Sequence, residues 1–283
     1  MRGYLIEKNE QITDINDLEK LFESWKKAHA CEKNYECIDD IPKDSFTYDG
    51  VINEKIWDRQ KTKVLYILRE SNGQNTEEGY FWFKEMIEKG QITKNIFKRI
   101  NSMQNILNKT ENDNRLNEVA YINVNKRGGG SSVNWKRMIK YTKEYKEFIR
   151  REIEIINPEI IVCCGTYWLI LNYIYDKKQK YAKPENEYYY ELGNVKVYNM
   201  WHPSARISDE NYISRMKYIN NLINKKGDEI KENITYEKNA REKLETIMGF
   251  FEDKNPEDFM DFSNELIDEL YYYIEEYVNA KKM

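Results

Sequence analysis

The chain has 283 residues, of which 40% are hydrophobic and 33% are charged, enough for one large folded domain with an extension. No run approaches the roughly 20 consecutive apolar residues of a membrane-spanning helix, and the N-terminal segment lacks the apolar stretch of a secretory signal, so we expect a cytoplasmic protein with no membrane partner. Residues 225–283 hold 9 basic and 16 acidic side chains, which leaves residues 1–224 slightly basic within a net charge of −4. This balance permits a nucleic-acid partner without requiring one.

Strands and helices are predicted to alternate along residues 1–224. Residues 1–60 read as a mostly helical N-terminal part, with an amphipathic helix over residues 14–30. Short runs rich in Val, Ile, Leu and Tyr, bounded by polar or glycine-containing turns, predict buried strands. These runs cover residues 63–68, 118–124, 159–165 and 195–201. Helical patterns follow the strands, at residues 77–107, 141–157, 166–176 and 208–226.

This alternation predicts a three-layer α/β/α domain over residues 1–224, with a mostly parallel, four-stranded central sheet. Residues 225–283 form a separate acidic extension, whose two amphipathic segments predict a helical hairpin. The hairpin packs on the body, binds a protein partner or self-associates; the sequence leaves these alternatives open.

Three of the four predicted strands end in polar loops: RESNG at residues 69–73, NVNKRGGGSS at residues 123–132 and WHPSARIS at residues 201–208. Because functional groups gather at the carboxyl ends of parallel strands, we expect these loops to face one another across one crevice. The last loop carries His202, one of only two histidines in the chain. The pattern therefore predicts a site at this edge of the sheet.

The cysteines do not predict a metal site. Cys163 and Cys164 lie in an apolar run and read as small buried hydrophobic residues. Cys31 and Cys37 are spaced unlike the common zinc motifs, so a metal there would need further ligands, for which His29 is the nearby imidazole. A structural role is the favoured interpretation, and we expect no metal and no cofactor.

The loops and their order resemble the uracil-DNA glycosylase superfamily over residues from about 60 to 224. Members carry a motif of the type G-E-x-P-G after the first buried strand, matched here by Arg69-Glu70-Ser71-Asn72-Gly73. An asparagine ends their next strand, here Asn123, and a later strand has the form P-x-x-I-V-x-x-G, here NPEIIVCCG. Their last motif is His-Pro-Ser with a loop that enters the DNA, here residues 202–208. The resemblance implies cleavage of the N-glycosidic bond of a base flipped out of DNA.

That reaction develops a cationic sugar and an anionic base, which calls for a group that places water and a donor to the base oxygen. Glu70 is the candidate for the first role and His202 for the second. Ser71 could also hold the water, although a hydroxyl without a visible base activates water weakly. The alternatives are a salt bridge or a surface position for Glu70, and a hydrogen-bonded core histidine for His202.

Asn123 and Asn72 are candidates for reading the base edge, because an amide offers both a donor and an acceptor. The alternative for Asn123 is a cap of its own turn. Phe81 or Trp82 could stack on the flipped base, although an aromatic stripe more often belongs to a core. The sequence does not choose between these two rings.

Contacts to DNA are expected from two loops. Lys126 and Arg127, beside three glycines, could hold phosphate, with a plain flexible surface loop as the equal alternative. Ser204, Arg206 and Ile207 follow His202 where relatives fill the gap left by a flipped nucleotide, and Arg206 could also grip a phosphate.

We therefore predict a DNA glycosylase acting on uracil or another altered base, in DNA repair or in anti-phage defence. Arg69, Ser71 and Asn72 depart from the family motif, which favours a base other than plain uracil or a dedicated role against modified foreign DNA. Two alternatives remain: a catalytically inactive nucleic-acid-binding module with the same pocket, and a hydrolase of a free nucleotide or nucleoside.

Overall fold

A computed structural model describes residues 12–32, 45–72, 82–92, 94–112, 114–129, 133–177 and 188–224, without the side chains of Asn72 and Trp82. The chain divides into two compact units, Met1–Ile223 and Asn224–Met283. Residues 225–283, with the predicted helical hairpin, lie outside the described residues.

Eight α-helices and six β-strands alternate through the described part of the first unit. The helices are α1 (Leu18–Cys31), α2 (Glu54–Trp57), α3 (Trp82–Glu88), α4 (Asn95–Asn108), α5 (Trp135–Glu144), α6 (Lys146–Ile156), α7 (Tyr167–Leu169) and α8 (Asp209–Asn224). The strands are β1 (Gly50–Val51), β2 (Val64–Asn72), β3 (Ala120–Gly129), β4 (Ile160–Cys164), β5 (Tyr189–Leu192) and β6 (Val195–Met200). A 3₁₀ turn (Leu116–Glu118) precedes β3, and α7 continues as a π-helical turn (Ile170–Ile174). No helix among the described residues combines the length and apolar character that crossing a membrane would require.

The sheet has six strands, not four, in the order β1-β3-β2-β4-β6-β5. It is mixed, with both parallel and antiparallel pairs. The four predicted strands form its parallel centre, and the α/β class is confirmed. The predicted strand number is wrong because β1 and β5 add antiparallel edges. β1 has only two residues, too few for a recognisable pattern, while β5 joins β6 through a turn at Gly193 with a φ of 60°.

Helices cover both faces of the sheet. Successive strand residues point to opposite sides, so each strand contacts helices on both faces. One face buries Leu65 and Ile67 in a cluster with Trp25 of α1 and Phe148 of α6. On the other face, the ring of Tyr121 lies 4.4 Å from that of Phe83 in α3 and the Tyr198 hydroxyl donates to Asn220 in α8. The central strands are thus buried on both sides, which explains their continuous apolar sequences.

β2 and β3 continue beyond their apolar runs into segments that were predicted as loops. Glu70 pairs with Asn125 and Asn72 pairs with Gly129, with an irregular register between the two pairs. The predicted loops are therefore wrong for residues 69–72 and 125–129, because backbone pairing persists where the side chains become polar. The predicted helix at residues 141–157 is also two helices, α5 and α6, which meet at Tyr145.

Candidate active site

The carboxyl ends of β2, β4 and β6 lie side by side and bring Arg69 close to His202. Between them, Gly165 adopts a φ of +69° and donates its N–H to the Met200 carbonyl at 2.7 Å. A Cβ atom on Gly165 would lie 3.6 Å from His202 Cβ and 3.9 Å from Arg69 Cδ. Glycine thus provides both the left-handed backbone and the narrow spacing that this meeting point requires.

His202 is held as a neutral imidazole of defined tautomer. The backbone N–H of Ser204 donates to Nδ1 at 3.2 Å, and the Ser204 hydroxyl lies 2.6 Å from the same atom. Since a backbone N–H can only donate, Nδ1 carries the lone pair and the ring proton is on Nε2. Burial and the positive charge of Arg69 hold the pKa of His202 well below its ordinary value of 6.5. The ring is therefore an uncharged donor through Nε2–H at neutral pH.

Glu70, near the end of β2, is held in one orientation from three sides. Its side chain is only 3% exposed and its Oε1 lies 3.2 Å from Arg137 Nη2 in the first turn of α5. Asn125 Nδ2 donates to Oε2 at 2.7 Å. The backbone of Gly129 lies against the carboxyl group, leaving no room for a side chain. Burial raises the pKa of Glu70, and Arg137, Asn125 and Arg69 partly oppose that rise.

Arg69 connects the two candidate catalytic residues electrostatically. Its charge opposes the rise that burial causes in the pKa of Glu70 and adds to the fall that burial causes in the pKa of His202. Glu70 and His202 come from β2 and β6, which are separated in the sheet by β4. The structure therefore places both groups at the carboxyl ends of the parallel strands, near the same guanidinium group.

Asn123 does not join this pair through its side chain. It is buried; its backbone N–H donates to Asp49 Oδ2 at 2.6 Å, and its amide Nδ2 lies 3.5 Å from the same oxygen. The carboxamide that meets Glu70 belongs to Asn125, which the sequence analysis did not select. Asn123 and Asn125 are two residues apart in β3, and alternate strand residues share a face. This spacing was the sequence signal that could have identified Asn125 as a candidate.

Lys126 and Arg127 lie in the interior, which corrects both interpretations of their loop. Lys126 is fully buried, and its Nζ lies 2.5 Å from Asp49 Oδ1 and 2.8 Å from Glu152. Arg127 is 6% exposed and pairs with Glu32 at 2.6 Å. Neither side chain can hold a phosphate at the surface from these positions, and residues 126–129 are not a flexible surface loop. Gly130 and the two serines after it lie outside the described residues.

The remaining candidates near β2 are only partly described. The Ser71 hydroxyl lies 3.1 Å from that of Thr47, so it is engaged in a hydroxyl pair. Asn72 is in β2, but its side chain, the side chain of Trp82 and all of Phe81 lie outside the description. Base stacking by Phe81 or Trp82 and base reading by Asn72 therefore stay predictions.

The loop after His202 presents two of the three predicted DNA contacts to solvent. Ser204 and Arg206 are exposed, whereas Ile207 is half-buried. The loop starts with a turn, in which the Ala205 N–H donates to the His202 carbonyl at 2.9 Å. The exposed positions leave Ser204 and Arg206 accessible to a large ligand.

The second histidine and the cysteines have structural surroundings. His29 is buried between the Tyr141 hydroxyl at 2.8 Å and the Ser45 carbonyl at 3.3 Å. Cys163 and Cys164 are buried as predicted, and burial raises the pKa of both thiols. Cys31 is exposed, and Cys37 lies outside the described residues. Among the described residues, no group of three potential metal ligands occurs.

Neither a model of a protein family nor a curated protein matches this sequence. The likeness to uracil-DNA glycosylases therefore rests on the quoted motifs.

Proposed function

We propose that this protein is a DNA glycosylase-like enzyme that hydrolyses the N-glycosidic bond of uracil or another altered base flipped out of DNA. The observation that carries the proposal is the neutral His202 ring, whose proton is on Nε2 at the carboxyl edge of the sheet. A fixed neutral donor stabilises negative charge as it grows on the oxygen of a departing base. Arg69, beside this ring, adds positive charge where the anion forms.

Glu70 supplies the opposite charge to the reaction. Its carboxylate, held by Asn125 and Arg137, places a water molecule and favours the cationic sugar. Burial raises the pKa of Glu70, so its ionisation shifts to higher pH. The site therefore combines a carboxylate for the sugar with an imidazole and a guanidinium for the base.

We also propose that the enzyme is cytoplasmic, uses no cofactor and works in DNA repair or in anti-phage defence. Arg69 replaces the glycine that opens the family motif, and it places a charge within reach of both candidate catalytic residues. This difference favours a base other than plain uracil.

The second candidate function is a catalytically inactive module that binds nucleic acid. The observation that favours it is the engagement of both Glu70 oxygens, Oε1 by Arg137 and Oε2 by Asn125. A carboxylate with two fixed partners has fewer lone pairs to offer to a water molecule.

The test uses oligonucleotides that contain uracil, hypoxanthine, a thymine mismatch or hydroxymethylcytosine, treated with alkali after incubation with the full chain. Strand scission reports base loss. We expect His202→Ala and Glu70→Gln each to lower turnover by about 100-fold or more while folding is kept, because each removes a group that acts in the transition state. Glu210→Gln, at an exposed position of α8, is the matched control.

The outcomes separate the two candidates. Tight binding without scission of any substrate would favour the inactive module. Scission at unchanged rates in both site variants would refute the roles given to Glu70 and His202.

A further inference from the structure

The segment that carries His202 is anchored along one side through every second carbonyl group. Side chains from α4 and α8 hold these carbonyls: Arg215 donates to that of Asn199 at 3.2 Å and the Tyr212 hydroxyl to that of Trp201 at 2.9 Å. Arg99 of α4 then holds the next three, which belong to Pro203, Ala205 and Ile207. We call residues 203–207 the arch.

Arg99 is the main anchor of the arch. It is 3% exposed, and its Nη1 donates to Pro203 at 3.0 Å and to Ala205 at 2.8 Å. Its Nη2 donates to Ile207 at 2.5 Å and its Nε to Asp209 at 2.8 Å. A planar guanidinium is suited to this task, because its donors point in fixed directions and reach several acceptors at once.

Along residues 201–206, the even-numbered side chains are more exposed than the odd-numbered ones beside them. Trp201 and Pro203 are buried, whereas Ser204 and Arg206 are exposed and His202 lies between these extremes. In the arch, the odd-numbered carbonyls thus bind Arg99, and the even-numbered side chains are exposed.

The arch also contains the residue that binds the imidazole. Arg99 holds the carbonyls of Pro203 and Ala205, on either side of Ser204. Ser204 in turn contacts His202 Nδ1 through both its backbone N–H and its hydroxyl. A guanidinium from a distant helix is thus connected to the ring through one serine.

We propose that Arg99 is the positioning residue of the site: by fixing the backbone on both sides of Ser204, it keeps Nδ1 of His202 as an acceptor and Nε2–H as the donor offered to the substrate. The role in catalysis rests on the proposed function, whereas the control of the tautomer does not. The hydrogen bonds of Arg99 go to backbone carbonyls and Asp209 rather than to the imidazole, so it acts through the arch.

The chain offers a direct readout, because the Nδ1 atoms of its two histidines have opposite hydrogen-bond roles. His29 donates from Nδ1 to the Ser45 carbonyl, so this nitrogen carries a proton, whereas Nδ1 of His202 accepts and carries none. A long-range ¹H–¹⁵N spectrum of the full chain with ¹⁵N-labelled histidine should show one ring of each kind. His29, packed against Tyr141 of α5, serves as the internal check of folding.

The test compares Arg99→Lys and Arg99→Gln with Arg150→Lys. Arg150 also binds a backbone carbonyl, that of Ile174, together with a carboxylate, but it belongs to α6 and not to the arch. We expect both Arg99 variants to show a mixture of His202 tautomers. The pKa of His202 should rise towards ~6.5 as the ring becomes hydrated beside Arg69. The His29 signals and the Arg150 variant should match the wild type. Base release should fall about 100-fold, as expected for a misplaced catalytic group.

A wild-type His202 spectrum in folded Arg99→Lys would overturn the proposal. If Arg99→Gln loses the His29 signals as well, it has unfolded, and Arg99→Lys decides. A changed tautomer in a protein whose wild type releases no base would refute the glycosylase function and support the positioning role.

Discussion

Gly129 tests how tightly the Glu70 carboxyl group is confined. The glycine lies at the end of β3, and its φ is not positive, so an alanine can adopt its backbone conformation. A Cβ atom there would lie 2.2 Å from both Cδ and Oε1 of Glu70, well inside contact distance. In Gly129→Ala the carboxyl group must therefore move.

The cost of that movement follows from the bonds it breaks. Glu70 would lose the Asn125 bond of 2.7 Å and the Arg137 pair of 3.2 Å, and its side chain is only 3% exposed, so water replaces these partners poorly. A hydrogen bond to a charged group contributes about 1.5–3 kcal/mol, and breaking a buried ion pair costs about 3–5 kcal/mol. Because Arg137 is partly exposed, we expect Gly129→Ala to lower the free energy of unfolding by about 3 kcal/mol.

The assay is urea unfolding of a double-mutant cycle. Glu70→Ala removes the three atoms that lie nearest to the new Cβ, so adding Gly129→Ala to that background should cost close to nothing. The predicted coupling between the two positions is therefore about 3 kcal/mol. Equal costs of Gly129→Ala in both backgrounds would show that the carboxyl group is not confined as described.

Three further predictions concern charge. Arg137→Gln removes a cation that lowers the pKa of Glu70, so the acid limb of the pH–rate profile of base release should move to higher pH; an unmoved limb would count against the pairing. Lys126→Met leaves two buried carboxyl groups without their cation and should cost about 3–5 kcal/mol in urea. Lys89→Met, which breaks an exposed pair, should cost under about 0.5 kcal/mol, and similar costs for the two would contradict the buried network. Because the folded-state pKa of His202 is depressed, the unfolded chain binds more protons below pH ~6.5 and stability should fall on acidification; His202→Gln should flatten that slope, and parallel curves would refute it.

The apolar runs of the four central strands could be recognised from the sequence, because a buried parallel strand has a continuous hydrophobic pattern. β5 was missed although Gly193 and Asn194 form the kind of two-residue turn that joins hairpin strands. β1 has two residues and no pattern at all. The edges of the sheet were therefore less predictable than its centre.

The site was predictable only where its residues follow strands. His202 follows β6 by two residues and Glu70 follows the apolar part of β2 by two residues, so position and residue type pointed to both. Lys126 misled because its partners Asp49 and Glu152 are distant in sequence, and a lysine beside glycines resembles a surface loop. Similarly, no local pattern separates Arg99 from other helical arginines, since its acceptors, three backbone carbonyls and Asp209, are more than 100 residues away.

We propose that an extruded nucleotide enters between His202 and Glu70, at the carboxyl ends of the parallel strands. A crystal structure of the protein with an oligonucleotide carrying an abasic-site analogue tests it most directly. We expect the analogue's sugar beside the Glu70 carboxylate, and His202 Nε2 facing the vacated base position at about 3 Å from where the base oxygen would lie. DNA bound elsewhere on the protein, with this edge unoccupied, would contradict it.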